Sequence, residues 1–261
     1  MSAAWDEGLA DGARASWDAL ADDYDRRHGD EGNDWHRLLV EPATLALLGD
    51  VRGKRVLDLG CGTGVLARRL LRSGGHVVGV DGSGEFLERA RRRPGGESIE
   101  WAVIDLLDEE AIAAVGAVDA AVCTMVLMDL PDVGPLFRGA RRVLADGPLI
   151  VATAHPSFNR PDATFWKEAG EDESGAAWHR SGLRFSVYAT AYRQYVYGMP
   201  DQQVPQWYFH RPLHQLLGPA FEAGFVLDAL EEPTFAVGTT GRFGSELPPI
   251  LVVRLSRRIK T

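Results

Sequence analysis

The sequence predicts an α/β fold in which a mostly parallel β-sheet carries helices on both faces. From Arg55 onward, short apolar segments alternate with amphipathic helical ones, which is the order of strands and helices in a parallel sheet. The first of these segments leads into a glycine-rich turn at Gly60, Gly62 and Gly64, which opens a helix. A chain of 261 residues is long enough for one large domain of this kind with a modest cap.

The first 50 residues are predicted to be helical and to form an N-terminal lid, residues 1–50. Apolar residues from Trp17 to Tyr24 recur at helical spacing, and a second apolar helical segment covers residues 35–48. A polar, glycine-containing break at residues 28–33 separates the two. We therefore expect two helices joined by a loop before the sheet begins.

The sheet core is predicted at residues 51–155 and is completed by residues 210–261. The core segments with strand character read RVLDLG, HVVGVDGS, IEWAVIDL, DAAVCTMVL and PLIVATA. After the core, a helix from Leu213 to Ala223 precedes two strand-like segments, FVLDALEEP and ILVVRL. We expect these last segments to extend the same sheet.

Residues 156–209 interrupt the alternation of strands and helices. They contain 12 of the 23 Phe, Trp and Tyr residues of the chain. A connection of this length with so much apolar surface must pack on something. We expect an aromatic cap after the fifth strand, whose inner wall is a substrate pocket.

Composition excludes several classes of protein. With 28 Lys and Arg against 37 Asp and Glu, the formal charge is −9, and no basic stripe suited to nucleic acid is present. No apolar segment is long enough for a membrane span, and the acidic N-terminus lacks a signal-peptide pattern, so a cytoplasmic monomer or homodimer is expected. Two cysteines provide neither a disulfide framework nor a cysteine zinc site.

Three acidic residues stand at the ends of successive predicted strands. Asp58 lies on the first strand, Asp81 ends the second strand 21 residues after Gly60, and Asp105 ends the third. An acid at position 81 is suited to a ribose diol, and one at position 105 to an exocyclic amine such as that of adenine. Helix capping alone explains three such acids beside a glycine turn poorly. Val65 stands where a nicotinamide-dinucleotide fingerprint requires glycine, which disfavours an oxidoreductase.

These motifs together resemble the class I S-adenosylmethionine-dependent methyltransferases. In order along residues 55–132, the chain carries VLDLGCGTG, VVGVDGS, IEWAVIDL and VLMDLPD. The resemblance extends to a bacterial small-molecule branch with a helical N-terminal lid, and it implies a Rossmann-like, seven-stranded, mostly parallel sheet. The segments that carry this extension are Tyr24-Asp25, Gly32-Asn33-Asp34-Trp35-His36 with Pro42, His155-Pro156-Ser157-Phe158 and His210-Arg211-Pro212-Leu213.

The resemblance implies a set of cofactor contacts for S-adenosylmethionine and its product S-adenosylhomocysteine. The glycine turn lines the methionine end, Asp81 holds the ribose, Asp105 holds adenine, and the lid folds over the cofactor. The implied residues are Tyr24, Trp35, Asp58, Gly60, Cys61, Gly62, Asp81, Gly82, Ser83, Asp105, Leu106, Cys123 and Thr124.

Candidate catalytic residues follow from the predicted position of the transfer site. His155 follows the fifth strand at the carboxyl end, where ligands bind in such sheets, although a His-Pro turn can also serve the backbone alone. Asp129 follows the fourth strand, and His36 belongs to the lid. The predicted substrate contacts are Tyr24, His36, Met128, Asp129, His155, Tyr192, Tyr195, Trp207 and Tyr208.

No metal is expected. His210 and His214 have a helical i, i+4 spacing, but no glutamate and no third ligand accompany them.

The function predicted from the sequence is methyl transfer to an O, N or C nucleophile of a small acceptor. The aromatic insert favours a flat or hydrophobic, natural-product-like acceptor of secondary metabolism. The sequence leaves open which atom is methylated and whether a general base is needed. The alternative function is that of a homologue that keeps S-adenosylmethionine without methylating, as a cyclase or a binding protein.

Overall fold

The computed structural model describes residues 7–198, 201–236 and 243–258. Its strands are β1 (Arg55–Leu59), β2 (His76–Asp81), β3 (Glu100–Val103), β4 (Ala120–Thr124), β5 (Leu149–Ala154), β6 (Thr164–Glu171), β7 (Ala177–Arg184), β8 (Tyr192–Val196), β9 (Gln206–His210), β10 (Phe225–Glu231) and β11 (Ile250–Arg257). Its α-helices are α1 (Glu7–His28), α2 (Glu41–Leu48), α3 (Val65–Arg72), α4 (Gly84–Arg92), α5 (Glu109–Ala113), α6 (Gly134–Val143) and α7 (Leu213–Glu222). A π-helical turn (His36–Val40) precedes α2, and short 3₁₀ turns lie at Gly96–Ser98 and Leu127–Asp129.

The main sheet has seven strands in the order β10-β11-β5-β4-β1-β2-β3. Strands β1 to β5 pair in parallel, and β11 pairs antiparallel with both β5 and β10. The strand order reverses between β1 and β4, so the carboxyl ends of these two strands flank the crevice where ligands bind in such sheets. The predicted Rossmann-like, mostly parallel sheet is confirmed.

Helices bury both faces of this sheet, as the continuous apolar strands require. The adjacent residues Val56 and Leu57 of β1 are both fully buried, and they point into different clusters. Leu57 belongs to the cluster of Phe137 on α6, and Val56 to the cluster of Leu70 on α3. The glycine turn after β1 is thereby held between two packed layers.

Helix α1 lies across α4 and covers the carboxyl edge of the sheet. The ring centroids of Tyr24 and Phe86 are 5.2 Å apart, in an edge-to-face arrangement. Arg93 pairs with the Asp25 carboxylate at 2.7 Å. Aromatic and ionic contacts therefore hold the N-terminal helix next to the glycine turn.

Residues 156–209 form two separate hairpins, rather than a cap with one common core. In the hairpin β6-β7, the Trp166 ring lies against Gly182 and the Trp178 ring against Gly170, so each indole covers a glycine of the opposite strand. Most residues of this hairpin are exposed. The hairpin β8-β9 packs against the body of the molecule and buries Phe209. The aromatic residues of the insert therefore serve two purposes. Those of β6-β7 stabilise an exposed hairpin, and those of β8-β9 pack against the rest of the molecule.

Within the described residues, none of the helices combines the length and the apolar content that a membrane span needs.

Candidate functional site

The turn after β1 brings the backbone close to the carboxyl ends of β2 and β4. The N–H groups of Gly60 and Cys61 both donate to the Val80 carbonyl, at 2.8 and 3.0 Å. Gly60 has φ +72°, and a Cβ there would overlap the side chain of Val126. Glycine is required at position 60 both by this conformation and by the close approach of Val126.

Asp81 links the glycine turn to the end of β2. One carboxylate oxygen accepts from the Gly62 N–H at 2.8 Å, and the other from the Ser83 N–H at 2.9 Å. Burial raises the pKa of Asp81 to about 6, although both of these hydrogen bonds act in the opposite direction. A carboxylate oxygen accepts more than one hydrogen bond, so Asp81 retains capacity for hydroxyl donors from a ligand.

Asp58 lies beneath the glycine turn and does not line the cavity described below. Asp58 is 1% exposed, and within the described part of the chain neither carboxylate oxygen has a partner with hydrogen-bond geometry. Burial, and then the nearby Asp81, raise the pKa of Asp58 to about 7, which the Ala67 N–H only partly offsets. Asp58 and Asp81 together make this region favourable for a positively charged ligand.

Asp105 lies at the far end of the same edge, beyond β3. Its Oδ1 accepts from the Leu107 N–H at 2.9 Å. Its Oδ2 accepts from the Arg14 guanidinium of α1 at 3.3 Å. The N-terminal helix therefore reaches the position at which the sequence predicts adenine recognition.

The segment after β4 turns sharply at Met125, which has φ +59°. A non-glycine residue in this conformation is uncommon and is characteristic of functional sites. The following turn is held by the buried Arg211, which donates to the carbonyls of Leu127, Leu130 and Pro131 at 3.1, 2.6 and 2.5 Å. This clamp fixes the turn that carries Met128 and Asp129.

Asp129 faces the cavity from this turn with a side chain that is more than nine-tenths buried. Its Oδ1 has no hydrogen-bond partner among the described residues. Burial raises the pKa of Asp129 well above its ordinary value, and Asp81 acts in the same direction, whereas a hydrogen bond from Gln206 opposes both. Gln202 donates to Gln206 Oε1 at 3.2 Å, which leaves the Gln206 amide N–H groups for Asp129. Asp129 thus keeps one buried oxygen available to a ligand in the cavity.

The lid contributes a stack of rings above the glycine turn. Tyr24 lies parallel to His28 with centroids 3.6 Å apart, and His36 meets His28 edge to face at 4.9 Å. Burial, the largest cause, and the nearby acids Asp129, Asp81 and Asp58 raise the pKa of Tyr24 above its usual range. Burial lowers the pKa of His36 to about 3, with a smaller effect from His28, so its ring is neutral at pH 7.

One cavity of about 820 Å³ joins these elements. It runs from the glycine turn and the lid to the segment after β5 and to the inner side of β9. The residues predicted from the sequence that line it are Tyr24, Trp35, His36, Gly60, Cys61, Gly62, Asp81, Gly82, Ser83, Asp105, Leu106, Thr124, Met128, Asp129 and Tyr208.

Six predicted site residues are not among those that line this cavity. They are Asp58, Cys123, His155, Tyr192, Tyr195 and Trp207. Asp58 supports the turn from below, and Cys123 is fully buried within β4.

His155 is turned away from the predicted transfer site. The Ser157 N–H donates to His155 Nδ1 at 3.1 Å, so Nδ1 carries a lone pair and Nε2 carries the proton that is shared with Glu232 at 2.8 Å. Burial lowers the pKa of His155, against the effect of Glu232. Both ring nitrogens are thus used to hold the segment after β5, which leaves no nitrogen for an acceptor.

Tyr195 and Trp207 lie on the face of the hairpin β8-β9 opposite to Tyr208, whereas Tyr192 shares the face of Tyr208 but does not line the cavity. The Tyr192 hydroxyl bonds to Asp162, and its ring stacks on His210. Tyr195 and Trp207 pack against each other with centroids 4.6 Å apart, on the side that faces α1. Because alternate residues of a strand point to opposite faces, Tyr208 lines the cavity while its neighbour Trp207 does not.

Several residues line the cavity that sequence analysis did not single out. They are Arg14 and Trp17 on α1, Asn159 and Arg160 after β5, Gln206 on β9, and Phe235. Trp17 shares the helical periodicity of Tyr24, which was an available signal. The sequence around Gln206 and Arg160 has no periodic pattern of apolar residues that would indicate which way their side chains point.

The described residues contain no group of three or more His, Cys, Asp or Glu side chains arranged to hold a metal. His210 instead shares Nε2 with the Tyr188 carbonyl at 2.9 Å.

Comparison with known sequences relates the central part of the chain to methyltransferases. Residues 56–147 match the family model of a methyltransferase domain. A ubiquinone biosynthesis O-methyltransferase of Sodalis glossinidius (strain morsitans) is 35% identical over 104 residues, which cover 38% of this chain and 40% of that protein. The enzyme of the same name from Xanthomonas oryzae pv. oryzae (strain PXO99A) is 30% identical over 117 residues, or 44% and 48% of the two chains. The chain spans less than half the length of the curated relatives it matches.

Comparison with solved structures extends the likeness in fold to most of the chain. An S-adenosylmethionine-dependent methyltransferase from Mesorhizobium loti superposes with a TM-score of 0.60 at 24% identity, over 83% of this chain and 96% of the other. Magnesium protoporphyrin IX methyltransferase from Synechocystis PCC 6803, solved with bound S-adenosylmethionine, gives 0.59 at 16% identity, over 98% and 100%. The matched segment carries the glycine turn, Asp81 and Asp105, and residues 56–147 of this chain are therefore identified as a methyltransferase domain.

Proposed function

We propose that this protein transfers the methyl group of S-adenosylmethionine to a small-molecule acceptor bound in the same cavity. The observation that carries the proposal is the continuity of that cavity. Its volume of about 820 Å³ extends from the glycine turn to Asp129 and Tyr208. This volume lies in the upper part of the range of roughly 300–1,000 Å³ that ligand sites occupy, which suits two molecules side by side.

The residues around the glycine turn fit the cofactor. Gly60 to Gly62 offer backbone approach without Cβ atoms at the two glycines, Asp81 offers acceptor capacity for ribose hydroxyls, and Asp105 offers an acceptor for an amine. The buried carboxyl of Asp58 below the turn favours a ligand with positive charge. Bound there, S-adenosylmethionine supplies an electrophilic methyl carbon on a cationic sulfur.

The residues beyond β4 fit the acceptor. Asp129 offers a buried oxygen that no described residue bonds to, and the nearby Tyr208 donates its own hydroxyl proton to the Asn159 carbonyl at 3.1 Å. Met128 and Phe235 add apolar wall. This combination supports an acceptor with an apolar body and a hydrogen-bond donor at the reacting end.

The chemistry required of the chain is orientation and removal of one proton. When an O–H or N–H nucleophile gains a methyl group, its bond to hydrogen breaks, the electron pair of the cleaved carbon–sulfur bond stays on sulfur, and the proton must leave. Asp129 and His36 both line the cavity. The ionised Asp129 carboxylate is the candidate to take up that proton, and the neutral His36 ring offers a hydrogen-bond acceptor. Holding the nucleophile in line is expected to supply much of the rate.

A hydroxyl acceptor is the form of the proposal that the relatives favour, since the curated proteins with matching segments are named O-methyltransferases. We propose further that residues 1–50 act as the lid and that residues 156–209 contribute the acceptor side, chiefly through the hairpin β8-β9. The apolar character of the acceptor wall supports a further proposal, a role in secondary metabolism.

The test combines binding with turnover. Calorimetry should detect S-adenosylhomocysteine binding to the wild-type protein, and incubation of S-adenosylmethionine with a panel of phenols and primary amines should release S-adenosylhomocysteine. Asp129→Asn should lower the rate of release by more than tenfold and leave calorimetric affinity within about threefold. Tight binding with no release across the panel would favour a non-methylating homologue instead.

A further inference from the structure

Two residues outside the predicted catalytic set determine which nitrogen of His36 is available to a ligand. Their role rests on the proposed function. At the end of α1, His28 Nδ1 lies 2.8 Å from the Tyr24 carbonyl oxygen. A carbonyl oxygen only accepts hydrogen bonds, so His28 Nδ1 must carry a proton. Burial lowers the pKa of His28, and its neutral ring therefore has a lone pair at Nε2.

The next contact orients the amide of Asn33. Its Nδ2 lies 3.0 Å from His28 Nε2, which as a lone-pair nitrogen needs a donor. Asn33 therefore directs its NH₂ group towards His28 and its Oδ1 towards the following turn. The backbone N–H of His36 donates to the same Oδ1 at 3.1 Å, which agrees with this orientation.

The last contact selects the tautomer of His36. His36 Nδ1 lies 2.9 Å from Asn33 Oδ1, and because that oxygen only accepts, Nδ1 must carry the proton. In the neutral ring the lone pair is then at Nε2. His36 lines the cavity, and its Nε2 has no hydrogen-bond partner among the described residues. A chain of hydrogen bonds with fixed donors thus runs from the Tyr24 carbonyl to His36, whose unprotonated Nε2 is left at the cavity.

We propose that His28 and Asn33 are positioning residues that hold His36 as the Nδ1–H tautomer, so that Nε2 accepts a hydrogen bond from the O–H or N–H group that is to be methylated. This assigns the acceptor to a class, since a nucleophile without a hydrogen, such as a tertiary amine, gains nothing from a bare Nε2. It also assigns a function to the His28 and Asn33 side chains beyond the capping of two helical turns.

The test is ¹⁵N NMR of the histidine side chains, because protonated and bare imidazole nitrogens have well-separated shifts. In the wild-type protein, His36 should show a protonated Nδ1 and a bare Nε2. His28→Phe keeps an aromatic ring against Tyr24 and removes the acceptor for the Asn33 amide. We expect the tautomer ratio of His36 to change by roughly tenfold, the size expected for one hydrogen bond. His76→Gln, at the exposed start of β2, is the matched control and should leave the His36 signals unchanged.

A second variant separates this role from capping. Asn33→Asp keeps an acceptor for the His36 N–H and for Nδ1–H, but it has no donor for His28. We expect His28 Nε2 to gain a proton in this variant while His36 keeps its tautomer. A wild-type His36 that is protonated at Nε2, or a His28 signal that is unchanged in Asn33→Asp, would overturn the proposal.

The final comparison tests the acceptor class with two probes. With S-adenosylhomocysteine bound, phenol should shift the His36 Nε2 resonance, and anisole, which has the same ring without an O–H group, should not. Equal shifts with both probes, or no shift with phenol, would overturn the acceptor role. A failure of S-adenosylhomocysteine to bind would count against the proposed function alone, because the tautomer is measured on the protein without ligand.

Discussion

The carboxylate of Asp81 accepts a hydrogen bond of 2.8 Å from the backbone N–H of Gly62. One side chain therefore joins the end of β2 to the glycine turn after β1. The contact also places a buried acid at the wall of the cavity. Each of its carboxylate oxygens has a further lone pair that is available to a hydrogen-bond donor of a ligand. The shape of the turn consequently depends on the same residue that we propose for recognition of the cofactor.

Asp81→Ala should weaken binding of S-adenosylhomocysteine by at least tenfold. The variant removes charge-assisted hydrogen bonds to the ligand, each contributing roughly 1.5–3 kcal/mol, and frees the Gly62 N–H. Isothermal calorimetry measures the change. Asp146→Ala, at a position exposed in the loop before β5, is the control and should bind as the wild type does. Unchanged affinity in Asp81→Ala would remove Asp81 from the ligand site.

The stability of the ligand-free protein should respond to the ionisation of Asp58. Its pKa is raised to about 7 in the folded protein, above the ordinary value near 3.8, so the folded state holds a proton that the unfolded state has lost. The contribution of Asp58 is therefore favourable below pH 4 and falls as the pH rises from 4 through 7. Asp58→Asn should abolish this fall, which is on the order of 4 kcal/mol.

The measurement is urea denaturation from pH 5 to pH 8. The gain in stability of Asp58→Asn over the wild type should grow with pH over this interval. A constant difference between the two proteins would show that Asp58 ionises at its ordinary pKa.

Replacement of His155 should affect stability rather than catalysis. Its ring joins Ser157 and Glu232, and His155→Gln should cost about 1–3 kcal/mol by leaving buried polar groups unpaired. The loss of roughly 10²–10⁴ in kcat that accompanies removal of a general base should not occur. Thermal unfolding measures the loss of stability, and initial rates below the unfolding transition measure kcat. A drop in kcat with unchanged stability would instead indicate that His155 takes part in the reaction.

Gly60→Ala should destabilise the glycine turn through two separable effects. The left-handed φ of +72° costs about 1 kcal/mol for alanine, and the new methyl group overlaps Val126. The double variant Gly60→Ala, Val126→Ala should recover the steric part only. Denaturation midpoints of both variants and of Val126→Ala alone give the interaction energy. If the losses of stability of the two single variants simply add in the double variant, the methyl group at position 60 does not contact Val126.

Arg211→Met should be strongly destabilising. The buried guanidinium is bonded to three backbone carbonyls, and burial lowers its pKa only to about 10, so it is charged at neutral pH. Leaving those carbonyls without donors should cost about 3 kcal/mol or more. Arg138→Met breaks a pair with Glu109 in which the arginine is half exposed, and it should cost less than about 1 kcal/mol. Chemical denaturation gives the free energy of unfolding of both variants. Equal losses of stability would contradict the role of Arg211 in holding the turn after β4.

The positions of the core strands along the chain and the edge of the sheet that carries the cavity follow from local sequence. Each core strand is an apolar segment bounded by a turn, and the parallel arrangement puts the residues after each strand at one edge. For that reason the predicted positions of Gly60, Asp81, Asp105 and Asp129 coincide with the wall of the cavity. Each of these residues directly follows, or closes, a strand with an unambiguous pattern.

The directions of side chains in the irregular segments depended on contacts between distant parts of the chain. His155 follows a strand as Asp129 does, but Glu232, 77 positions later, draws its ring away from the cavity. Tyr208 and Trp207 are equally aromatic neighbours, and only the packing of β9 against α1 and the turn after β4 decides which one faces inward. Sequence periodicity therefore determined the sheet, the glycine turn and its acids, whereas tertiary packing alone decided the acceptor side, because a hairpin or loop residue takes its orientation from long-range partners that no local pattern records.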